Sequence, residues 1–245
     1  MSEYAGKVVL VTGGGTGIGK SIAAKFAEQG ASVVIAGRRE EVLQETAREL
    51  GEKAGYVVAD VSQPGEAKRL VNETISIHKK LDILVNNAGA ALLGPLSEAS
   101  DDVILGIYKT NVFGPLALSR ECLGHLTAAK GSIINISTTM SKGVVPGSAV
   151  YSSSKAALDH ATRLLAAEFG PVGIRVNGVA PGLTVTDMTK GVREDKEMLS
   201  MMVGQTPLGR VGTPDEVADA VLMLCSKRAG WVTGQVVQAG GGIML

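Results

Sequence analysis

Aromatic side chains are scarce in this chain. Phe, Trp and Tyr make up 3% of its 245 residues, so the interior has to be filled by aliphatic side chains. Cysteine is nearly absent. Cys122 and Cys225 lie far apart, in segments of helical pattern, and neither belongs to a CxxC pair. That spacing excludes a disulfide framework and reads as two reduced core thiols. The histidines His78, His125 and His160 have no i,i+4 partner and no acidic ligand pattern, so no metal is expected. An excess of one charge is lacking too. Lys+Arg and Asp+Glu number 24 each, the pI is near 6.8, and no basic block stands out. Neither nucleic acid nor an anionic membrane is therefore an expected partner. No apolar run approaches the ~18 residues that span a bilayer. The start "MSEYAGKVVLVTGG" has no secretory pattern. A cytoplasmic protein is the expectation.

What the chain does have is glycine, 32 of them, recurring near the ends of short apolar runs. "KVVLV" (7–11), "SVVIA" (32–36), "GYVVAD" (55–60), "LDILV" (81–85), "SIINI" (132–136), "IRVNGVA" (174–180) and "QVVQA" (235–239) read as strands. Amphipathic stretches near 18–29, 40–50 and 65–79 fall between the first four. The alternation predicts an α/β fold: one domain over 1–245, with a doubly wound parallel sheet of about seven strands and helices on both faces. A cofactor half over about 5–130 would precede a catalytic and substrate half over about 131–245. Residues 183–208 break the rhythm and hold Met188, Met198, Met201 and Met202. Two readings stand: a helical pair whose methionines fill the core, or a flap over an apolar substrate beyond a strand's C-terminal end.

"VLVTGGGTGIGKSIA" (9–23) joins the first strand to the first helix. GxGxxG does not fit it in any register, but TGxxxGxG does, at Thr12, Gly13, Gly17 and Gly19. Such a turn lets backbone approach a pyrophosphate, and the helix start offers free N–H groups. Gly15, Thr16 and Ile18 would share that contact. After the second strand, a carboxylate would read the 2′-hydroxyl of NAD. Here Gly37 is followed by Arg38 and Arg39. Cations there favour a 2′-phosphate, hence NADP(H), unless they simply pair with Glu40, Glu41 or Glu45.

With this turn, "NNAG" at 86–89 and Y-x-x-x-K at 151–155, the chain resembles the classical short-chain dehydrogenases/reductases. The resemblance covers essentially residues 5–245. "DV" at 60–61, Asn111 in "KTNVFG", "PG" at 181–182 and "VTGQ" at 232–235 stand in the order that family uses. On a helix, Tyr151 and Lys155 share one face. A free phenol has pKa about 10, and a nearby ammonium together with the positive ring of an oxidised nicotinamide would lower it. Tyr151 would then serve as acid or base. The three serines between them are small and would let cofactor and substrate approach.

The resemblance implies more. Lys155 would hold the nicotinamide ribose and Asn111 would anchor a water in a proton relay. Asp60 and Val61 would meet adenine, and Asn87, Ala88 and Gly89 would line the ribose. Pro181, Gly182, Thr184 and Thr186 would hold the carboxamide. The substrate-orienting hydroxyl falls thirteen residues before Tyr151, at Thr138, with Ser137 the alternative. Met140 and Met188 would meet an apolar substrate. A homotetramer or homodimer is implied.

The sequence departs from the family in three places of note. Thr138 stands where the substrate-orienting residue is normally a serine. Thr16 stands where a basic residue is common, and Gly240-Gly241-Gly242 replaces Asp-Gly-Gly, which puts local rigidity in question. The expected activity is NADP(H)-dependent interconversion of a ketone and a secondary alcohol. A 3-oxoacyl-(carrier protein) reductase is the alternative, with Lys130 as a cation for the carrier. A non-catalytic NADP-binding sensor or scaffold is the rival of another class. A transient-cofactor isomerase or dehydratase would carry a longer C-terminal region, and an enoyl reductase a wider Tyr–Lys spacing.

Overall fold

The computed structural model describes residues 3–244. Seven strands form one sheet: β1 (Val8–Thr12), β2 (Ser32–Gly37), β3 (Ala54–Val58), β4 (Ile83–Asn86), β5 (Ser132–Ile136), β6 (Arg175–Pro181) and β7 (Val236–Ala239). Their order is β3-β2-β1-β4-β5-β6-β7, and every neighbouring pair is parallel.

The strands are apolar runs because both faces are covered. Successive side chains point to opposite faces, and the two layers divide them accordingly. Val9, Val11, Val33 and Ile35 pack with Ile22 and Phe26 of α1 (Gly17–Glu28), Leu43 of α2 (Glu40–Leu50) and Val221 of α9 (Pro214–Cys225). Val8, Leu10, Val34 and Ile133 pack with Leu70 of α3 (Glu66–His78), Leu118 of α5 (Gly114–Ala129) and Phe169 of α6 (Ala149–Phe169). Both layers are aliphatic, as the scarcity of aromatics requires. Cys122 is buried, Cys225 is half-buried, and both are free thiols. Burial pushes the Cys225 thiol up to about 12, which leaves it an inert apolar group.

Three shorter helices, α4 (Asp101–Tyr108), α7 (Lys190–Glu194) and α8 (Lys196–Gly204), lie beyond the C-terminal ends of strands. No helix among the described residues is long and apolar enough to cross a membrane.

The chain adds β2 and β3 on one side of β1, then returns to add β4 on the other. A crevice opens where the direction reverses, at the C-terminal ends of β1 and β4. Two glycines set its floor. Gly13 has φ +64°, and a methyl group at Gly19 would lie 2.2 Å from the Gly13 carbonyl oxygen and 2.4 Å from Asn87 Nδ2. Neither neighbour is a flexible chain end, so Gly19→Ala has to open the turn. Overpacking of this kind costs about 1–3 kcal/mol. The expected result is a lower urea midpoint at unchanged slope.

Candidate active site

The end of β1 is locked to the end of β4 by one hydroxyl. Thr12 Oγ1 accepts from the Asn87 and Ala88 backbone N–H groups, each at 3.0 Å. Asn87 Nδ2 donates back to the Thr12 and Gly13 carbonyls at 2.9 and 3.1 Å. The Gly13–Gly19 turn and the Asn87–Gly89 loop are thus one rigid unit. α1 starts here with Thr16 as N-cap. Its side chain makes no cap hydrogen bond, and the first turn holds no acid. The first N–H groups of α1 therefore lack a side-chain partner that would compete with an anion. Gly15 and Ile18 lie on the same turn.

Arg38 and Arg39 follow β2 and are exposed. Among the described residues neither forms an ion pair, so pairing with Glu40, Glu41 or Glu45 does not occupy them. Asp60 and Val61 follow β3, with Asp60 Oδ1 accepting from Ser62 N at 3.0 Å and Ser62 Oγ at 2.7 Å.

Tyr151, Lys155 and Ser154 lie near the start of α6, whose N-terminal end reaches the C-terminal end of β5. Lys155 Nζ donates to the Ile136 carbonyl at 2.7 Å. Asn111 is fully buried within a π-helical stretch, Lys109–Phe113. The widened turn is a common device at functional sites. Asn111 Nδ2 donates to the Ala90 carbonyl at 2.8 Å and to Ser154 Oγ at 2.9 Å, and Asn111 Oδ1 accepts from Ala90 N at 2.9 Å. A Cβ at Gly89 would stand 3.6 Å from both Asn111 Oδ1 and Lys155 Nζ, so the three converge.

The serines are more than small. Ser152 Oγ donates to Ser148 Oγ at 2.7 Å, Ser153 meets Tyr108 at 2.9 Å, and Ser154 Oγ donates to the Tyr151 carbonyl at 2.7 Å.

Thr138, just past β5, acts on the Tyr151 phenol through its side chain, as a hydrogen-bonding group that favours ionisation. Ser137 Oγ is buried and has no hydrogen-bond partner. The structure thus brings Thr138, not Ser137, to Tyr151. Met140 is half-buried beside them, its N–H donating to Thr138 Oγ1 at 3.3 Å.

Within the protein alone, the phenol is not lowered. Burial pushes Tyr151 above its ordinary range, and the contribution of Thr138 opposes this without outweighing it. Lys155 is pushed down to about 8, again by burial, with Asp159 opposing. Desolvation favours the neutral form of both groups. The lysine donates to a carbonyl rather than the phenol, so it does not set the phenol's ionisation here.

Pro181 and Gly182 end β6. Thr184 Oγ1 donates to the Gly182 carbonyl at 3.1 Å. Thr186 sits over the glycine turn, its Cγ2 3.3 Å from where a Gly17 Cβ would be. The following segment does not fill the core: no residue of α7 or α8 is buried, and Met188, Met198 and Met201 are exposed. The Gly240–Gly242 stretch is tightly enclosed. A Cβ at Gly240 would lie 2.7 Å from Thr139 Cγ2, so an aspartate does not fit there as Thr139 stands. Lys130 is far from the site. It precedes β5, whose four steps cover about 13 Å, and its stem lies over Gly173.

The comparisons with known proteins agree with this geometry. The family described as enoyl-(acyl carrier protein) reductase matches residues 13–244. An uncharacterized oxidoreductase of Methylorubrum extorquens is 41% identical over 251 residues, covering 99% of this chain and 100% of that protein. The 3-oxoacyl-[acyl-carrier-protein] reductase FabG of Chlamydia muridarum is 35% identical over 242 residues, covering 97% of each. The Pseudomonas aeruginosa RhlG/NADP active-site complex superposes with a TM-score of 0.94 at 32% identity, covering 100% of both chains. The chain belongs to the classical short-chain dehydrogenase/reductase family. It is an NAD(P)-dependent oxidoreductase of that family.

The residues present fit a dinucleotide: a turn closed to side chains at Gly13 and Gly19, a helix start without a competing acid, and two unpaired arginines beyond β2. Sequence reading missed Thr12 as the clamp, Ser154 as a partner of Asn111, and the pairing of half-buried Ser141 with buried Asp159. The i,i+4 spacing of Lys155 and Asp159 was the available signal for the last.

A lysine whose folded pKa is depressed destabilises the protein while protonated. That cost is relieved as pH rises from about 8 toward its ordinary 10.5. The stability difference between the wild type and Lys155→Met is therefore expected to move in favour of the wild type across that window. Its slope should approach about 1.4 kcal/mol per pH unit. Urea titrations at several pH values check it, and the difference removes effects shared by both proteins, such as those of the cysteines.

Proposed function

We propose that the protein interconverts a ketone and a secondary alcohol with NADP(H). The observation that carries this is that Tyr151 and buried Lys155, one turn apart at the start of α6, are brought to the C-terminal end of β5, where Lys155 Nζ donates to the Ile136 carbonyl at 2.7 Å and Thr138 follows two residues on.

The Gly13–Gly19 turn, with Gly15, Thr16 and Ile18, would hold the pyrophosphate. Arg38 and Arg39 would meet the 2′-phosphate, and Asp60 and Val61 the adenine. Asn87, Ala88 and Gly89 would line the ribose, and Pro181, Gly182, Thr184 and Thr186 the carboxamide. When bound, the cofactor supplies or accepts the hydride. Thr138 and Tyr151 donate hydrogen bonds to the substrate oxygen, where charge develops. Tyr151 passes its proton to that oxygen in reduction and takes one back in oxidation. A phenol held protonated by burial is ready for the reductive direction. Lys155 would hold the ribose hydroxyls, and Asn111 would anchor a water that returns the proton through Lys155.

The substrate is read as an apolar ketone or alcohol. Met140 lies next to Thr138, and Met188 is exposed on the segment beyond β6. A carrier-bound substrate is less well supported, because Lys130 stands at the opposite edge of the sheet within one protomer. A sensor or scaffold without turnover has no use for half-buried Tyr151 gathered with buried Asn111 and Lys155. Exposed Leu105, Phe113, Leu164 and Trp231 support a homotetramer or homodimer.

Calorimetry with NADPH and NADH, without substrate, is expected to favour NADPH. Arg38→Ala should reduce that preference by about tenfold, roughly the loss of one charge-assisted contact. Equal binding of the two cofactors by the wild type defeats the 2′-phosphate reading. With a panel of apolar ketones, Tyr151→Phe is expected to lose about 10²–10⁴ in turnover. Near-normal turnover in that variant rules out Tyr151 as the proton donor. Thr138→Ala should cost more than Ser137→Ala.

A further inference from the structure

The helix face that carries Tyr151 and Lys155 continues one turn further. Asp159 is the next residue at i+4, so α6 turns it to the same side. Lys155 and Asp159 are 3% and 5% exposed. Neither has an ion partner within 4.0 Å among the described residues. An isolated buried charge is costly, and an opposite charge on the same buried face offsets the cost.

The other titratable and charged groups on the surrounding elements are no substitute. Tyr151 is held protonated by its burial. Lys109 beside Asn111, Lys142 after the Thr139–Ser141 turn, exposed Arg163 one turn beyond Asp159, and Arg175 of β6 are all cations; His160 and the α4 acids Asp101 and Asp102 are exposed to solvent. Asp159 is the acid on the lysine's own buried helix face, and its charge favours the protonated lysine.

Asp159 is also fixed in place. Its Oδ2 accepts from Ser141 Oγ at 2.6 Å, and Ser141 Oγ lies 2.8 Å from the Thr138 carbonyl. The carboxylate thus leaves the same helix that carries the lysine and is tied to the segment that carries Thr138.

We propose that Asp159 is the counter-charge that keeps Lys155 protonated in the folded protein, with Ser141 holding it in place. Asp159 is a positioning residue, acting through Lys155 and not on the substrate. The inference rests on the reading of Lys155 as the group that holds the nicotinamide ribose.

The sign of the effect is fixed. Without the carboxylate, Lys155 gives up its proton at lower pH. Any NADPH affinity that depends on the ammonium then declines at lower pH too.

The test is NADPH calorimetry from about pH 6 to about pH 9.5 on the full chain, spanning the Lys155 transition. The wild type is expected to lose affinity as pH rises past about 8. Asp159→Asn keeps an acceptor for Ser141 but removes the charge. Its decline should begin about one pH unit lower, leaving it about fivefold weaker near pH 8 and equal to the wild type near pH 6. Asp159→Glu should restore the wild-type profile. Ser141→Ala keeps the charge and should leave the midpoint within about 0.3 units of wild type. If Asp159→Asn does not fold, Asp159→Ser removes the same charge and serves in its place. A wild-type midpoint in the neutral variant, where Lys155→Met does weaken binding, overturns the proposal alone. NADPH binding unaffected by Lys155→Met overturns the reading of Lys155, and the proposal with it.

Discussion

Seven strands running in one direction are the constraint from which the site follows. Parallel pairing sends every C-terminal strand end to the same edge of the sheet. Thr12, Asn86, Ile136 and Pro181 close their strands there. Each crossover returns through a helix, so both faces must be covered, and the strands become near-continuous aliphatic runs. The scarcity of aromatics fits this geometry, because β-branched side chains pack well on a pleated surface buried on both sides. The reversal of strand order at β1 and β4 then opens the crevice at that edge.

α6 places Tyr151 and Lys155, the proposed reacting groups, on a rigid element. It has 21 residues, and its C-terminal half, with Ala166 and Phe169, is anchored in the core. Its first turns project past β5 into the crevice. Rigidity brings burial, and burial acts on both titratable groups at once. It raises the phenol and lowers the ammonium, because each is disfavoured in its charged form. Proximity to a lysine on the same face is therefore not enough to make Tyr151 a phenolate. Within the protein alone, burial outweighs the hydrogen bonding from Thr138 that favours phenolate, and charge in the site depends on what else is brought into it.

Much of the fold was legible because it is local. The apolar run "SIINI" is β5 from end to end, and Glu40–Leu50 is α2 as the amphipathic period predicts. The glycine turn and the i,i+4 spacing of Tyr151 and Lys155 are local too. What sequence did not show depends on contacts between distant segments. The π-helical turn at Asn111 leaves no mark on "KTNVFG", because it is held by Ala90 and Ser154 from other elements. Lys130 lies seven residues before Ser137 in sequence, yet a strand carries it to the opposite edge. The direction of the Tyr151 shift is a matter of burial, which spacing alone does not measure.

The departure at the C-terminus has a steric cause. Gly240 takes the place of an aspartate in the family pattern. The space its side chain would need is filled by Thr139, whose Cγ2 would be 2.7 Å from a Cβ there. Gly241 and Gly242 continue the close fit, against Thr206 and Pro207 at the end of the segment beyond β6. Leu208 N donates to the Gly241 carbonyl at 3.0 Å, which adds a backbone tie. Missing side chains here do not loosen the terminus, because neighbouring atoms take up their volume. One stretch of glycine backbone is wedged between the Thr138–Thr139 turn and the base of the methionine-bearing segment. Displacement of that base therefore bears on the turn that positions Thr138, through van der Waals contact alone.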